Sequence, residues 1–155
     1  MPLRHTEGNL LNSTCQVLVN AVNCIGVTGA GIAKQFQDRW PEQVAEYREF
    51  CRAGKMQPGV IHEAVLPDGR VILSVPTKRH WRDRSLFSDV AKGIDAVVEW
   101  CDRVKPVSIA IPPLGCGLGG LPQRPVLNEI NLKMADLPME VWLYGFRPLN
   151  SEKAP

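Results

Sequence analysis

Two glycine-rich stretches carry the clearest chemical potential in this chain. The first, GVTGAG, spans 26–31 and the second, LGCGLGGL, spans 114–121; each follows an apolar run. Glycine costs backbone entropy on folding, so it is kept where the chain must turn unusually or lie close to something else. A glycine loop that leaves a strand and opens a helix exposes backbone N–H groups, and with the helix N-terminus these make an anion site that suits a diphosphate. Neither stretch reads G-x-x-x-x-G-K-[ST], so a P-loop is disfavoured, and an ordinary dinucleotide fold is not expected. The plainer reading of either stretch alone is a tight turn.

Side chains beside these loops add chemistry. Asn20 and Asn23 flank the end of VNAVN. An asparagine there either caps a loop or hydrogen-bonds a sugar hydroxyl, and capping is the simpler role for Asn20. Lys78 follows VILSVPT, and Pro76 is expected to end regular pairing and leave the lysine on a loop. Such a lysine is a solvated charge, an amine nucleophile, or an ammonium that stabilises developing charge. His5, His62 and His80 are scattered, and no metal-ligand spacing joins them. Cys116 lies within the second glycine stretch without an identifiable base, which assigns it to packing.

Composition bounds the protein that must position these groups. With 155 residues, 45% hydrophobic and 22% charged, one soluble globular domain is expected. A net charge of +2 does not by itself indicate nucleic acid. The five cysteines (15, 24, 51, 101 and 116) are odd in number and contain no C-x-x-C pair, which argues against a disulfide framework or zinc site. Met1–Asn9 is polar, and no apolar run approaches the roughly 20 residues of a membrane span. A cytoplasmic protein with no membrane partner is expected.

Strand-like runs lie at 16–22, 60–66, 71–75, 107–111 and 140–144. Pro67-Asp68-Gly69 joins the second and third, which predicts an antiparallel pair. Helical runs lie at 32–40, at 42–52 after Pro41, and at 86–104. In the last of these Val90, Ile94, Val97, Val98 and Cys101 share a face, with Ser85 and Asp89 as start signals. A weaker helix, interrupted at Pro125, covers 126–134. The alternation predicts an α/β domain with a mixed sheet and helices on both faces. Residues from Arg147 to Pro155 read as a polar tail.

Five blocks, in order, give a more specific signal: GNLL at 8–11, VNAVN at 19–23, GAGIAKQF at 29–36, PTKRHW at 76–81 and PPLGCGLGGL at 112–121. Together they resemble macrodomains, and more narrowly the DarG-type branch related to terminal ADP-ribose protein glycohydrolases. The resemblance covers roughly residues 5–146 and implies one domain over 1–146, a three-layer α/β/α sandwich with a mixed central sheet. It implies ADP-ribose between the two glycine loops; no cofactor is expected, and the residue spacing offers no metal site. It places Asn9 and Leu10 at the adenine, and Tyr144 either near it or in the core. Gly29, Ala30, Gly31 and Ile32 become the first phosphate loop, with Asn23 at the distal ribose. Pro112 and the run Leu114, Gly115, Cys116, Gly117, Leu118 and Gly119 form the second loop. Asn20 and Thr77 join the ligand-binding set.

The same resemblance aligns Lys78 with a catalytic lysine. As an amine it attacks C1″ of the open distal ribose; as an ammonium it stabilises charge on the leaving group or sugar. The terminal-glycohydrolase branch carries an acid at the position of Gly119, so a lysine–aspartate covalent scheme is not expected here. Lys78, with Asn23 orienting the sugar, is the more economical pair. The implied activity is ADP-ribosyl hydrolysis; the alternatives are a non-catalytic ADP-ribose reader and an enzyme acting on small ADP-ribose esters. DarG-like relatives act on ADP-ribosyl-thymidine in DNA and the related glycohydrolases on glutamate or aspartate esters, so ADP-ribosylated DNA and protein are both candidate partners. An ADP-ribosyltransferase toxin is a third. The segment KRHWRDR at 78–84 bears on that choice. It is either a solvated loop with Trp81 tucked on the domain, or a DNA contact. In the second case Arg79, Arg82 and Arg84 meet phosphates while His80 or Trp81 packs near the modified base.

Overall fold

The computed structural model describes residues 3–147. Of the polar tail expected from Arg147 onward, all but Arg147 lies outside the described residues. Among the described residues six strands form one sheet: β1 (Arg4–Thr6), β2 (Val17–Asn23), β3 (His62–Val65), β4 (Val71–Lys78), β5 (Ser108–Ile111) and β6 (Glu140–Tyr144). Four helices surround it: α1 (Gly31–Arg39), α2 (Pro41–Arg52), α3 (Phe87–Val104) and α4 (Gln123–Met134). The strand order is β1-β6-β5-β2-β4-β3. Only the β3–β4 pair is antiparallel, as the Pro67-Asp68-Gly69 turn predicts; the other neighbours are parallel.

The period-two alternation of the central strands divides the core into two layers. Val17 and Val19 of β2, with Leu73 and Val75 of β4, pack on α3 and α4 through Val90, Ile94, Val97 and Ile130. Leu18 and Val22, with Ile72, face the other way, onto Phe36, Val44, Tyr47 and Cys51 of α1 and α2. Each fully buried aliphatic or aromatic side chain contributes about 1.5–3 kcal/mol. The result is the expected three-layer α/β/α sandwich. Among the described residues no helix is long and apolar enough to cross a membrane.

The topology decides where a ligand goes. From β2 the chain passes through α1, α2 and β3 to β4 on one side, and α3 then carries it across β2 to β5 on the other. The carboxyl ends of β2 and β5 therefore open onto the crevice where strand order reverses, the usual binding position of open α/β sheets.

Several expectations need correction. β4 does not stop before Pro76: Val22 pairs with Pro76, the register shifts, and Asn23 pairs with Lys78. Pairing with β3 ends at Ser74, so beyond it β4 has a neighbour on one side only and a residue without an N–H is tolerated. Lys78 is thus the last residue of a strand. β3 is shorter than its apolar run. Of the two start signals for α3, Asp89 does fall in its first turn, whereas Ser85 precedes the cap position, which Leu86 holds without a side-chain cap bond. Val98 packs against the same core only partly buried, and Trp100, not foreseen, joins the α3 face. Pro125 does not break α4, because it falls in the first turn, where a missing N–H costs nothing. The short polar β1 was not foreseen.

Candidate active site

Between the two glycine loops lies a cleft of about 1030 Å³, at the upper end of the roughly 300–1,000 Å³ typical of ligand sites. Its walls bring together Asn23, Gly29, Ala30, Gly31, Ile32, Thr77, Lys78, Trp81, Arg82, Pro112, Gly115, Gly117, Leu118 and Gly119 from the sequence-derived set. Val27, Ala33, Asp83 and Pro113 also line it and were missed, as apolar or ordinary loop residues that carry no motif signal.

The first loop is built on the side chain of Asn23. Its Oδ1 accepts N–H bonds from Ile25 (3.1 Å), Gly26 (2.9 Å) and Val27 (3.2 Å), and its Nδ2 donates to the Val27 carbonyl (2.8 Å). The buried Tyr47 hydroxyl donates to the Asn23 carbonyl at 2.6 Å, joining α2 to the loop. Burial pushes the Tyr47 phenol well above its ordinary value. Asn23 thus works chiefly as the scaffold of the loop, so the capping role expected of Asn20 falls to Asn23. The loop then opens α1. Ala30 occupies the cap without a side-chain bond, so the first-turn N–H groups of Gly31, Ile32 and Ala33 lack helical partners beside the cleft.

The second loop closes on its own backbone. Cys116 N–H donates to Pro113 (3.0 Å), Gly120 to Gly117 (3.1 Å) and Leu121 to Gly115 (2.9 Å), while Ser85 N–H donates to the Gly119 carbonyl (2.9 Å). A Cβ at Gly119 would press on Ser85 Oγ and stand 2.5 Å from the Gly115 carbonyl oxygen. No carboxylate side chain fits there, a physical reason for the departure from the terminal-glycohydrolase pattern. At Gly117 a Cβ would meet open space. Leu118, 68% exposed, reaches across to Gly31, where a Cβ would lie 3.4 Å from its Cδ1. Gly115, Gly117 and Gly120 do carry the G-x-G-x-x-G spacing of dinucleotide loops. Here, however, α4 begins only at Gln123, beyond Leu121 and Pro122.

Lys78 ends β4 at this cleft. Its carbonyl accepts the Cys24 N–H at 3.0 Å, and its Nζ donates to the Trp81 carbonyl at 3.1 Å. The strap that follows is partly ordered by its own contacts. His80 Nδ1 accepts from Arg82 N–H (3.1 Å), the His80 and Trp81 rings lie 5.7 Å apart, and the Arg82 guanidinium stands 4.6 Å over the Trp81 ring. Trp81 remains 45% exposed, so it is not tucked on the domain.

Other expected contacts do not converge. Arg79 does not face the cleft; its guanidinium grips Asp89, Nε to Oδ2 at 2.9 Å and Nη2 to Oδ1 at 3.2 Å. Leu114 is 1% exposed and belongs to the core, because its side chain turns inward between β5 and α4. Asn20 is fully buried on the face of β2 that meets α1 and α2, so it neither caps a loop nor lines the cleft; its Nδ2 and Oδ1 have no partner among the described residues. Asn9 caps the short turn Leu10–Asn12 by accepting Leu11 N–H, Leu10 is buried, and Tyr144 packs partly buried on the same core layer. None of these three lines the cleft. Cys116 packs beneath its loop, with its thiol pushed up to about 11 by burial. Among the described residues no cluster of His, Cys, Asp or Glu could hold a metal ion.

Parallel strands capped by two glycine loops around a cleft define an α/β/α domain with a lysine at the cleft's mouth. The chain belongs to the Macro domain family, whose model matches residues 19–130. It is 38% identical over 156 residues to a DNA ADP-ribosyl glycohydrolase of Thermus aquaticus, a match covering 98% of this chain and 43% of that protein. The solved macrodomain of Thermus aquaticus DarG superposes with a TM-score of 0.87 at 39% identity, covering 94% of this chain and 98% of that one. The macrodomain of Mycobacterium tuberculosis DarG gives 0.89 at 33% identity with the same coverage. Thermosipho africanus DarTG in complex with ADP-ribose gives 0.84 at 25% identity, covering 96% of this chain and 44% of that one. The chain thus spans less than half the length of the Thermus glycohydrolase it matches.

Proposed function

We propose that this domain binds ADP-ribose in the cleft and hydrolyses its bond to a modified macromolecule, with ADP-ribosyl-thymidine in DNA as the preferred substrate. The observation that carries the reading is the position of Lys78, held at the mouth of the cleft between two loops rich in backbone donors. The names of the Thermus and Mycobacterium relatives support DNA as the carrier. The free N–H groups at the start of α1 and in the second loop suit the diphosphate. Leu118 covers it, and Asn23 fixes the loop against which the distal ribose rests. In hydrolysis a water oxygen bonds to C1″, the bond from C1″ to the base breaks, and the base takes a proton. As an ammonium, Lys78 has three donors and one is used by Trp81, so two remain for the leaving group or sugar oxygens. Trp81 and Arg82 offer an aromatic face and a cation beside the reacting bond.

This reading implies a partner that installs the modification. A DNA ADP-ribosyltransferase fits, and the Thermosipho africanus relative is named as a fusion of such a transferase with a glycohydrolase. A cytoplasmic location goes with it.

The test compares ADP-ribosylated single-stranded DNA with glutamate-linked ADP-ribosylated protein, reading free ADP-ribose. Release from DNA is expected to exceed release from protein. Lys78→Ala should abolish turnover while ADP-ribose affinity, measured by calorimetry, stays near wild type. Binding without release from either substrate by the wild type would instead make the domain a reader. Cleavage of protein alone would remove DNA as substrate.

A further inference from the structure

Asp89 is an unusual residue for its position. It lies in the first turn of α3, its side chain is 3% exposed, and its carboxylate is held by the forked guanidinium of Arg79. Removing a carboxylate from water costs several kcal/mol, and an apolar residue of similar volume usually serves stability as well or better. Here the carboxylate is buried while its partner Arg79 is 59% exposed, and such a pairing asks for a purpose other than stability. Arg79 directly follows Lys78 in the chain. On the strand side, the Lys78 carbonyl is fixed by Cys24 N–H. On the strap side, the next residue is pinned to α3 by the Arg79 fork, and the Lys78 Nζ is tied to Trp81 within that same strap. At its far end the strap is held again, by Ser85 N–H on the Gly119 carbonyl.

We infer that Asp89 is a positioning residue: through Arg79 it sets the strap 79–85, and thereby aims Lys78 into the cleft and keeps the Arg79 cation out of it. The inference rests on the proposed role of Lys78. The bidentate geometry matters, because a fork on a carboxylate fixes direction as well as distance, which a lysine ammonium does not.

Two variants and three readouts test it. Asp89→Asn keeps the shape and removes the charge; Arg79→Lys, on a half-exposed side chain, keeps the charge and removes the fork. Both are expected to lower kcat for ADP-ribose release from ADP-ribosylated DNA by roughly ten- to a hundredfold, the scale of a small misplacement of a reacting group. ADP-ribose Kd should stay within about twofold, because the glycine loops hold the product. Amide hydrogen exchange should speed up over 79–85 and stay unchanged over 115–118. Turnover near wild type in both variants, or unchanged exchange in the strap, overturns the inference. A parallel loss of ADP-ribose binding and turnover overturns it as well, since that marks a merely structural pair. The exchange measurement decides the inference even if the wild type releases ADP-ribose from neither substrate, a result that sinks the hydrolase reading instead.

Discussion

The two glycine loops reach the same cleft but are held in opposite ways. Loop 24–30 hangs from a side chain: the Asn23 amide gathers three successive N–H groups, and Tyr47 secures Asn23 from α2. Its Gly29 faces open space. Loop 114–121 has no such post. It closes through short backbone bonds, and its tightness comes from missing side chains, since a Cβ added at either Gly115 or Gly119 would press against Ser85. A loop built on a side chain fails when that side chain is removed. A loop built on absent side chains fails when one is added.

The largest expected effect breaks the second loop. Gly119→Leu should abolish ADP-ribose binding and lower stability by about 1–3 kcal/mol or more, as overpacking does. The cause is collision within the loop, not simple filling of the ribose site. Gly117→Ala, two residues away, should leave thermal stability within about 0.5–1 kcal/mol. Calorimetric titration and thermal unfolding of the two variants make the comparison, and equal effects from both would refute the loop-closure account.

A smaller effect is expected in the first loop. Asn23→Ala leaves three N–H groups without their acceptor and should cost about 1–3 kcal/mol, with faster amide exchange confined to 24–28. Tyr47→Phe removes one donor and should cost about 1 kcal/mol. The order matters more than the values: if Tyr47→Phe proved the more damaging, the loop would hang from α2, and Asn23 would be secondary.

A last effect, confined to alkaline pH, is shared by the loops. Burial pushes the thiols of Cys24 in one and Cys116 in the other from 9.0 up to about 11. Above pH 9 the unfolded chain releases protons that the folded chain keeps. The thiols' contribution to stability should therefore be constant below pH 9 and fall as pH rises toward 11. Thermal unfolding in reducing buffer across that range checks the slope, and iodoacetamide should label neither thiol appreciably at pH 7. Rapid labelling of Cys116 alone would mean that its loop opens in solution.

How much of this could be read from the chain depends on how local the cause is. β6 was expected at its observed limits because EVWLY is bounded by Pro138 and Gly145 and alternates over its whole length. α2 followed from Pro41 at its first position, and the β3–β4 turn from Pro-Asp-Gly. β1 was invisible because RHT is three polar residues whose strand conformation comes from pairing with β6. Pro76 misled because proline's usual penalty depends on a neighbour that β3 fails to provide past Ser74.

The same division governs the site. Both glycine loops, Lys78 and the apolar layers are written in residue type and spacing, since backbone freedom, charge and periodicity belong to residues one at a time or in short runs. The sequence alone therefore determined the α/β/α architecture and the two loops that border the cleft. Only the tertiary structure decided that Arg79 turns to Asp89, that Leu114 and Asn20 are buried, and that Tyr47 of α2 secures Asn23. Each of these depends on which of several equally polar or equally apolar neighbours comes within hydrogen-bond or packing distance. That choice is fixed by residues ten or more positions away, brought close only when the sheet and helices pack.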